Sequence, residues 1–393
     1  MHILEIPSFF PPYGGLFCLD QSKALSMQGN TVRIIANINL SSRLSPLQWL
    51  KARAYAHDTM MDGTHVTRYE MRAIPLCLKL NVRRWCRIVN DMIDRYISQY
   101  GKPDILHAHC CSWAGYAAMI ASKRHSIPYV ITEHLSQALL MKEFGPAGKN
   151  AWQVPLLKDA YMNADMVVPV SEELVDNLSV FYGKEYKWKF ESNTIDTDFY
   201  AYRKRGTRAD GLKTICCIAD YVPWKGYDTL MASIALYTKK YSSNIQLLVA
   251  GKDTDSDEMR SLISRYGLET KVKTYGKVNR NGVRDILYAS DCFFLATRSE
   301  VQPLVLLEAM CTGIPAVSTE IIPRCERIDG ACFIGETDNP ESLCHQLHKA
   351  MSINGFDGKA LSEKVVGLAS YANVGKRLTE LFSSVCQAFN ADK

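Results

Sequence analysis

The chain lacks the unbroken run of about 18 apolar residues that a membrane-spanning helix needs, so no segment is expected to cross a bilayer. It also lacks any CxxC pair. Its 13 cysteines follow no regular spacing, which argues against both a disulfide framework and a zinc module. The adjacent pairs Cys110–Cys111 and Cys216–Cys217 read as small buried apolar residues in a reducing compartment. No GxGxxG turn follows a strand in either half, which excludes a hydride-transferring dinucleotide enzyme. No DxD-like pair stands at a convincing strand end, since Asp253-Thr254-Asp255 after VAGK reads as a polar turn. Met1 leads almost at once into the strand HILEIP, leaving no room for a signal peptide. A cytoplasmic protein is therefore expected, placed at most on the inner face of the membrane. The net charge of +5 is too small to argue for nucleic acid.

What the chain does have is length and a globular balance. Its 393 residues, 47% hydrophobic and 22% charged, suit two domains, each with a core of its own. The charge is unevenly spread. Residues 41–95 hold ten Lys/Arg against five Asp/Glu, an excess equal to that of the entire chain. Within that window Val82, Trp85, Val89, Met92, Ile93 and Tyr96 recur at helical spacing, while Arg83, Arg84 and Arg87 fall off the stripe. That basic face is either simply solvated or a surface for anionic lipid headgroups or a lipid-diphosphate acceptor.

Both halves read as alternating strands and helices. In the first, a strand at 3–7, a Gly14–Gly15 turn, a helix and the strand TVRIIA make one βαβ unit, and strands at 104–109, 126–134 and 166–170 follow. In the second, TICCIA, NIQLLVAG, KVKTYG, CFFLAT and AVST alternate with helical segments. Two doubly wound α/β domains are expected, over 1–195 and 196–375, with an amphipathic helix over 376–393 that carries Leu378, Leu381, Phe382, Val385 and Phe389 on one face and turns back onto the first domain. Ligands of such sheets sit at strand carboxyl ends, so facing domains would hold theirs in the cleft between them.

The most telling stretch is SEVQPLVLLEAMCTGIPAVST, with Glu300 and Glu308 eight residues apart. It reads as a loop after the buried strand CFFLAT, then a short helix stopped by Gly313 and Pro315, then a strand. A helix N-terminus there is a seat for a diphosphate, and two carboxylates beside an anion site make sense when the ligand also offers hydroxyls. A nucleotide sugar offers both. Taken singly, Glu308 could be a helix-surface residue and Glu300 a solvated loop residue, and the Gly14–Gly15 pair suits an ordinary turn as well as a phosphate or sugar.

EVQPLVLLEAMCTGIPAVST closely resembles the donor-site signature of glycosyltransferase family 4, enzymes of the GT-B fold with two facing Rossmann-like domains. PPYGG, KPDILHAHCCSWAGYAA, IPYVITEHLS, ADMVVPVSEEL, SNTIDTDFY, VPWKGYDTLM and YGKV resemble further family motifs in the family's order. The likeness extends over nearly the whole chain, and the bacterial polysaccharide and lipopolysaccharide branch looks closest. The resemblance implies a retaining enzyme, independent of metal and of any cofactor, that moves a hexose-like sugar from a nucleotide diphosphate to a hydroxyl of a glycan or lipid-linked acceptor. It implies that Lys225 contacts the donor diphosphate, Glu308 the ribose and Glu300 the transferred sugar. The backbone of Val301, Gln302, Pro303 and Leu304 would lie along the pyrophosphate, Lys277 and Val278 would frame the base, and Gly14 and Gly15 would form the N-terminal glycine loop. His134 would face the sugar and His109 the acceptor. Three places depart from the family pattern: Asp220 stands where a second cation is usual, Pro303 has no N–H to offer a phosphate, and Ile322–Pro323 replace a Gly-Gly pair, with Glu326 still in the acidic position. Alternative readings are a nucleotide-sugar epimerase of similar fold and a non-catalytic donor-binding relative.

Overall fold

The computed structural model describes residues 1–39, 45–51, 55–204, 206 and 210–391. The chain divides into two compact units, Met1–Thr194 with Tyr371–Lys393, and Ile195–Ser370.

The first unit is built on a seven-stranded sheet of β1 (His2–Pro7), β2 (Thr31–Asn39), β3 (Tyr55–Met61), β4 (Thr64–Met71), β5 (Ile105–His109), β6 (Tyr129–Glu133) and β7 (Met166–Pro169), in the order β3-β4-β2-β1-β5-β6-β7. All neighbours are parallel except β3 and β4. The parallel strands are apolar because helices cover both faces. The β3–β4 edge is an antiparallel hairpin where a purely parallel sheet is expected. Asp62 and Gly63, both at positive φ, close it as the two-residue turn that matches strand twist.

The second unit has six parallel strands: β8 (Lys213–Ile218), β9 (Ile245–Ala250), β10 (Val272–Thr274), β11 (Cys292–Leu295), β12 (Ala316–Thr319) and β13 (Cys332–Gly335), ordered β10-β9-β8-β11-β12-β13. β13 is absent from the sequence reading because CFIG is short and only half-buried along most of its length.

Chain order reverses between β1 and β5 in one sheet and between β8 and β11 in the other. At such a reversal the two flanking loops diverge and leave a crevice at the strand carboxyl ends. That topology decides which loops can share a ligand within each unit.

The helix Leu78–Tyr100 buries Val82, Trp85, Val89, Met92, Ile93 and Tyr96 as the periodicity requires. The terminal helix runs Tyr371–Ala391. It starts earlier than residue 376 because Tyr371 and Val374 extend the apolar stripe of Leu378 back by two turns. Its Val374, Leu378, Leu381, Phe382 and Val385 cluster with Ile3, Ile105, Val130 and Val168 of the sheet. Arg377 closes the contact through a bidentate pair with Glu191, Nη2 to Oε1 at 2.7 Å and Nε to Oε2 at 2.8 Å.

Candidate active site

In the second unit the loops after β8 and β11 lie against each other at the reversal point. After β8 the chain makes a single turn, Pro223–Lys225, and Gly226 caps the next helix, Tyr227–Lys240. A Cβ on Gly226 would stand 1.8 Å from the carbonyl oxygen of Ala296, and its φ is +65°, so only glycine allows this approach. Arg298 N donates to the Trp224 carbonyl at 2.7 Å. The Arg298 guanidinium bonds the Pro223 carbonyl and both oxygens of Asp228. Thus held, Lys225 Nζ reaches Glu300 Oε1 at 2.5 Å, with the two side chains 20% and 9% exposed. Lys225 and Glu300 are brought together.

The helix Leu304–Cys311 follows Pro303, and its N-terminus has no side-chain cap. Pro303 lends its carbonyl to Leu306 N at 2.9 Å. Gln302 and Pro303 are buried, and Val301 and Leu304 half-buried. Glu308 is half-buried on the same helix, where its carboxylate bonds the Tyr200 hydroxyl. Burial, then Glu308, pushes that phenol well up, with Arg280 opposing. Arg280 in turn pairs with Asp196 at 3.0 Å. Tyr200 and Arg280 are absent from the sequence reading: their partners lie far along the chain, and only DTDFY at 196–200 marked the place.

Lys277 is exposed and Val278 half-buried in the segment after β10. That segment is tied to the loop after β9, where Gly251 N donates to the Gly276 carbonyl at 2.8 Å. Asp220 is explained by the same loop, since its Oδ1 accepts from Lys252 N at 2.9 Å. Its carboxylate organises backbone in the place where the family pattern has a second cation.

In the first unit, Gly14 and Gly15 precede the helix Leu16–Ser26. A Cβ on Gly15 would lie 2.1 Å from the Phe9 carbonyl oxygen, so chain packing alone requires this glycine. His109 ends β5 and His134 follows β6. Buried Glu133 fixes the turn under His134: Oε1 accepts from the amides of His134 and Leu135 at 3.0 and 2.9 Å, and Oε2 from Cys111 N at 3.1 Å and Tyr161 Oη at 2.7 Å. His134 stacks on Phe17 at 3.7 Å, and its Nε2 lies 3.3 Å from His109 Nδ1.

Glu5, absent from the sequence reading, completes this group. It is fully buried on β1, its Oε2 2.6 Å from His109 Nε2 and 2.8 Å from His107 Nδ1. Burial pushes its carboxyl up, but His107 and His109 outweigh that and hold it at about 2. Burial and His107 push His109 down against the pull of Glu5, and burial pushes His134 well down with help from His109 and His107. Ligand-type atoms of Glu5, His107 and His109 lie within 4.8 Å of one another. A carboxylate inside an apolar strand was the available signal, because a buried charge demands partners.

These directions set a pH dependence. Both imidazoles bind protons less readily folded than unfolded, so their contribution to stability is complete above the ordinary 6.5 and falls as the pH drops below it. Glu5 contributes stability present above its ordinary 4.5 and lost as pH falls through about 2. The melting temperature should therefore decline on acidification below 6.5 and more steeply below 4.5. Calorimetry of Glu5→Gln should find the lower part of that decline flattened.

Residues 15–199 match the family model described as Glycosyltransferase Family 4, and residues 198–363 match that of Glycosyl transferases group 1. The chain belongs to glycosyltransferase family 4. It is accordingly an enzyme that transfers glycosyl groups. It is 25% identical over 342 residues to a putative teichuronic acid biosynthesis glycosyltransferase of Bacillus subtilis, covering 82% of this chain and 81% of the relative. It is 22% identical over 371 residues to N-acetyl-alpha-D-glucosaminyl L-malate synthase of Bacillus anthracis, covering 91% and 90%. Among solved structures, sucrose-phosphate synthase from Thermosynechococcus elongatus superposes with a TM-score of 0.76 at 15% identity, covering 99% of this chain and 100% of that one. Anabaena HepE in complex with UDP does so at 0.72 and 16%, covering 98% and 100%. The chain shares with these two structures the GT-B fold.

Proposed function

We propose that this family member transfers a hexose-like sugar from a nucleoside diphosphate sugar to a hydroxyl of a glycan or lipid-linked acceptor, retaining the anomeric configuration and using no metal or other cofactor. The observation that carries this reading is the Lys225–Glu300 contact at the β8/β11 reversal point. In this reading Lys225 and the uncapped helix at Leu304 take up the charge of the departing diphosphate. Glu300 accepts hydrogen bonds from the sugar, and Glu308 holds the ribose with Tyr200 behind it. Gln302, Val301 and Leu304 border the pyrophosphate, Pro303 bordering it without a donor, and Lys277 and Val278 frame the base. The anomeric carbon passes through an oxocarbenium-like ion pair attacked on the face the diphosphate leaves. His134 serves a sugar hydroxyl and His109 stands on the acceptor side. The named ligands of solved relatives agree in kind: Anabaena HepE is seen with UDP-glucose, and Arabidopsis starch synthase IV with ADP and acarbose. Teichuronic acid synthesis in the Bacillus subtilis relative favours a cell-surface glycan as product.

Thermal-shift screening across UDP-, GDP- and ADP-sugars should find one donor that raises the melting temperature, by about 2.7 kcal/mol of stabilisation at a hundredfold excess over Kd. NMR of the product should show the donor's anomer, with turnover unchanged in EDTA. An inverted anomer, or donor conversion that needs no acceptor or water, overturns the reading.

The basic segment is proposed to rest on anionic membrane. Leu76, Leu78 and Leu80 are exposed beside Lys79, Arg83 and Arg87, Leu76 fully so at 105%, and Leu47 and Leu50 are exposed too. Apolar side chains beside cations suit a headgroup boundary. Part of the segment, 40–44 and 52–54, lies outside the described residues, and among the described residues no helix is long and apolar enough to cross a membrane. Vesicles containing anionic phospholipid should sediment the protein, and Arg83→Glu with Arg87→Glu should abolish this. Equal sedimentation with neutral vesicles would refute it.

A further inference from the structure

The second unit carries a cavity that the proposed reaction does not use. It holds about 330 Å³, at the low end of the roughly 300–1,000 Å³ that small-molecule sites occupy. It lies at the amino ends of three adjacent strands: Lys213 begins β8, Asp291 immediately precedes β11, and Pro315 immediately precedes β12. Lys225 and Glu300 belong to the loops at the carboxyl ends of β8 and β11. The length of β8, Lys213–Ile218, puts roughly 17 Å between those two ends. Cavity and proposed donor crevice thus sit at opposite ends of one sheet.

The charge in the lining is mostly of one sign. Arg203, Lys204 and Lys213 line the cavity and are all exposed. Among the described residues none of the three is ion-paired with a carboxylate. Asp291 is half-buried, and the backbone rather than a cation fixes it. Its Oδ2 accepts from Thr214 N at 2.7 Å, while its own N donates to the Thr214 carbonyl at 2.7 Å. That leaves Oδ1 to accept from a ligand. Tyr202 and Phe356 supply aromatic walls.

The segment that brings Tyr202 and Arg203 is anchored before any ligand arrives. Tyr288 Oη donates to the Ala201 carbonyl at 2.9 Å, and the Arg203 guanidinium lies 4.1 Å over the Tyr288 ring. Gly313 admits the Tyr202 ring, because a Cβ there would stand 2.5 Å from Tyr202 Cδ2. Three cations gathered without a counter-charge repel one another, and a cleft lined by one sign draws the opposite sign. A phosphate answers the cations, with Arg offering a fork and Lys a point charge. A hydroxyl answers Asp291, and a ring answers the aromatic walls. A bare sugar would leave the cations unmatched, and a bare phosphate would leave the acid and the rings unused.

We propose that this cavity binds a phosphate monoester carried on a hydroxylated ring, with Arg203, Lys204 and Lys213 at the phosphate and Asp291 at a ring hydroxyl. Sugar phosphates and nucleoside monophosphates share that chemistry. The site is independent of the donor crevice, so it stands whether or not the transfer reading does.

Isothermal titration of the full chain with glucose 6-phosphate, AMP and methyl phosphate tests this without turnover. At least one of the first two should bind with a Kd below about 1 mM, and the tighter of them names the source of the ester. Methyl phosphate, which has the charge and no ring, should bind about tenfold or more weakly. Lys213→Glu should weaken the better ester by about tenfold or more. Arg203→Ala with Lys204→Ala should do the same, and stands in if Lys213→Glu does not fold. Lys225→Ala, at the far end of the sheet, should leave the Kd within about threefold. Binding lost in Lys225→Ala but kept in Lys213→Glu would assign the ester to the donor crevice and overturn the proposal. Equal binding of methyl phosphate overturns it too, as does a Kd above about 1 mM for both ring-bearing esters.

Discussion

Replacing Lys225 by alanine is expected to lower kcat/KM by about 10²- to 10³-fold, the loss typical when one preorganised group that stabilises developing negative charge is removed. In the proposed reaction two effects add: the diphosphate would lose its cation, and Glu300, its side chain only 9% exposed and 2.5 Å from Nζ, would lose its counter-charge beside an anionic ligand. Removing one member of a half-buried pair leaves the other to repel what should bind. Lys225→Met, which keeps the length and loses the charge, should behave like alanine. The double variant with Glu300→Gln should lose less than the two single losses combined, because each single variant already breaks the same contact. Steady-state release of nucleoside diphosphate compares the four variants with the original enzyme. A Lys225→Ala enzyme within about threefold of the original would remove this lysine from the reaction.

Phe382→Ala should produce the largest change in stability, about 3–5 kcal/mol. Phe382 is fully buried, lies in the cluster joining the terminal helix to the sheet, and packs T-shaped with His107 at 4.9 Å between ring centroids. Alanine would open a cavity that rigid strands cannot close. At roughly 2–4 °C per kcal/mol for a unit of this size, calorimetry should show the first unit's transition lowered by about 10 °C. The second unit, whose core contains none of these residues, should melt where it did. A loss below about 1 kcal/mol would show that the helix contributes little through this ring.

The parallel strands were legible because burial on both faces leaves unbroken apolar runs such as CFFL and AVST. The helix over 78–100 was legible through its stripe. The β3–β4 hairpin was missed although Asp62–Gly63 is a strong local signal. Its strands YAHDTMM and THVTRYEM are half polar and do not stand out against a buried sheet. For the site, Lys225 and Glu300 could be named from motif position, but their mutual contact is a product of strand order, which no local pattern records. Glu5 sits in HILEIP, and attention to the apolar letters hides the charge among them. Asp220 departs from the family pattern in the sequence, and the Lys252 amide that its carboxylate accepts from is brought to it only by the fold. Tyr200 behind Glu308 belongs to the same class, a pairing that only tertiary structure makes.

The first unit is discontinuous: the chain leaves it after Thr194 and returns at Tyr371, having completed the whole of the second unit between. On a ribosome, the sheet of the opening segment is synthesised long before the helix that covers Ile3, Ile105, Val130 and Val168. During that interval a greasy face waits uncovered while the intervening unit, contiguous in sequence, can already fold. Nascent chains stopped at residue 370 should therefore recruit chaperones that the finished protein sheds.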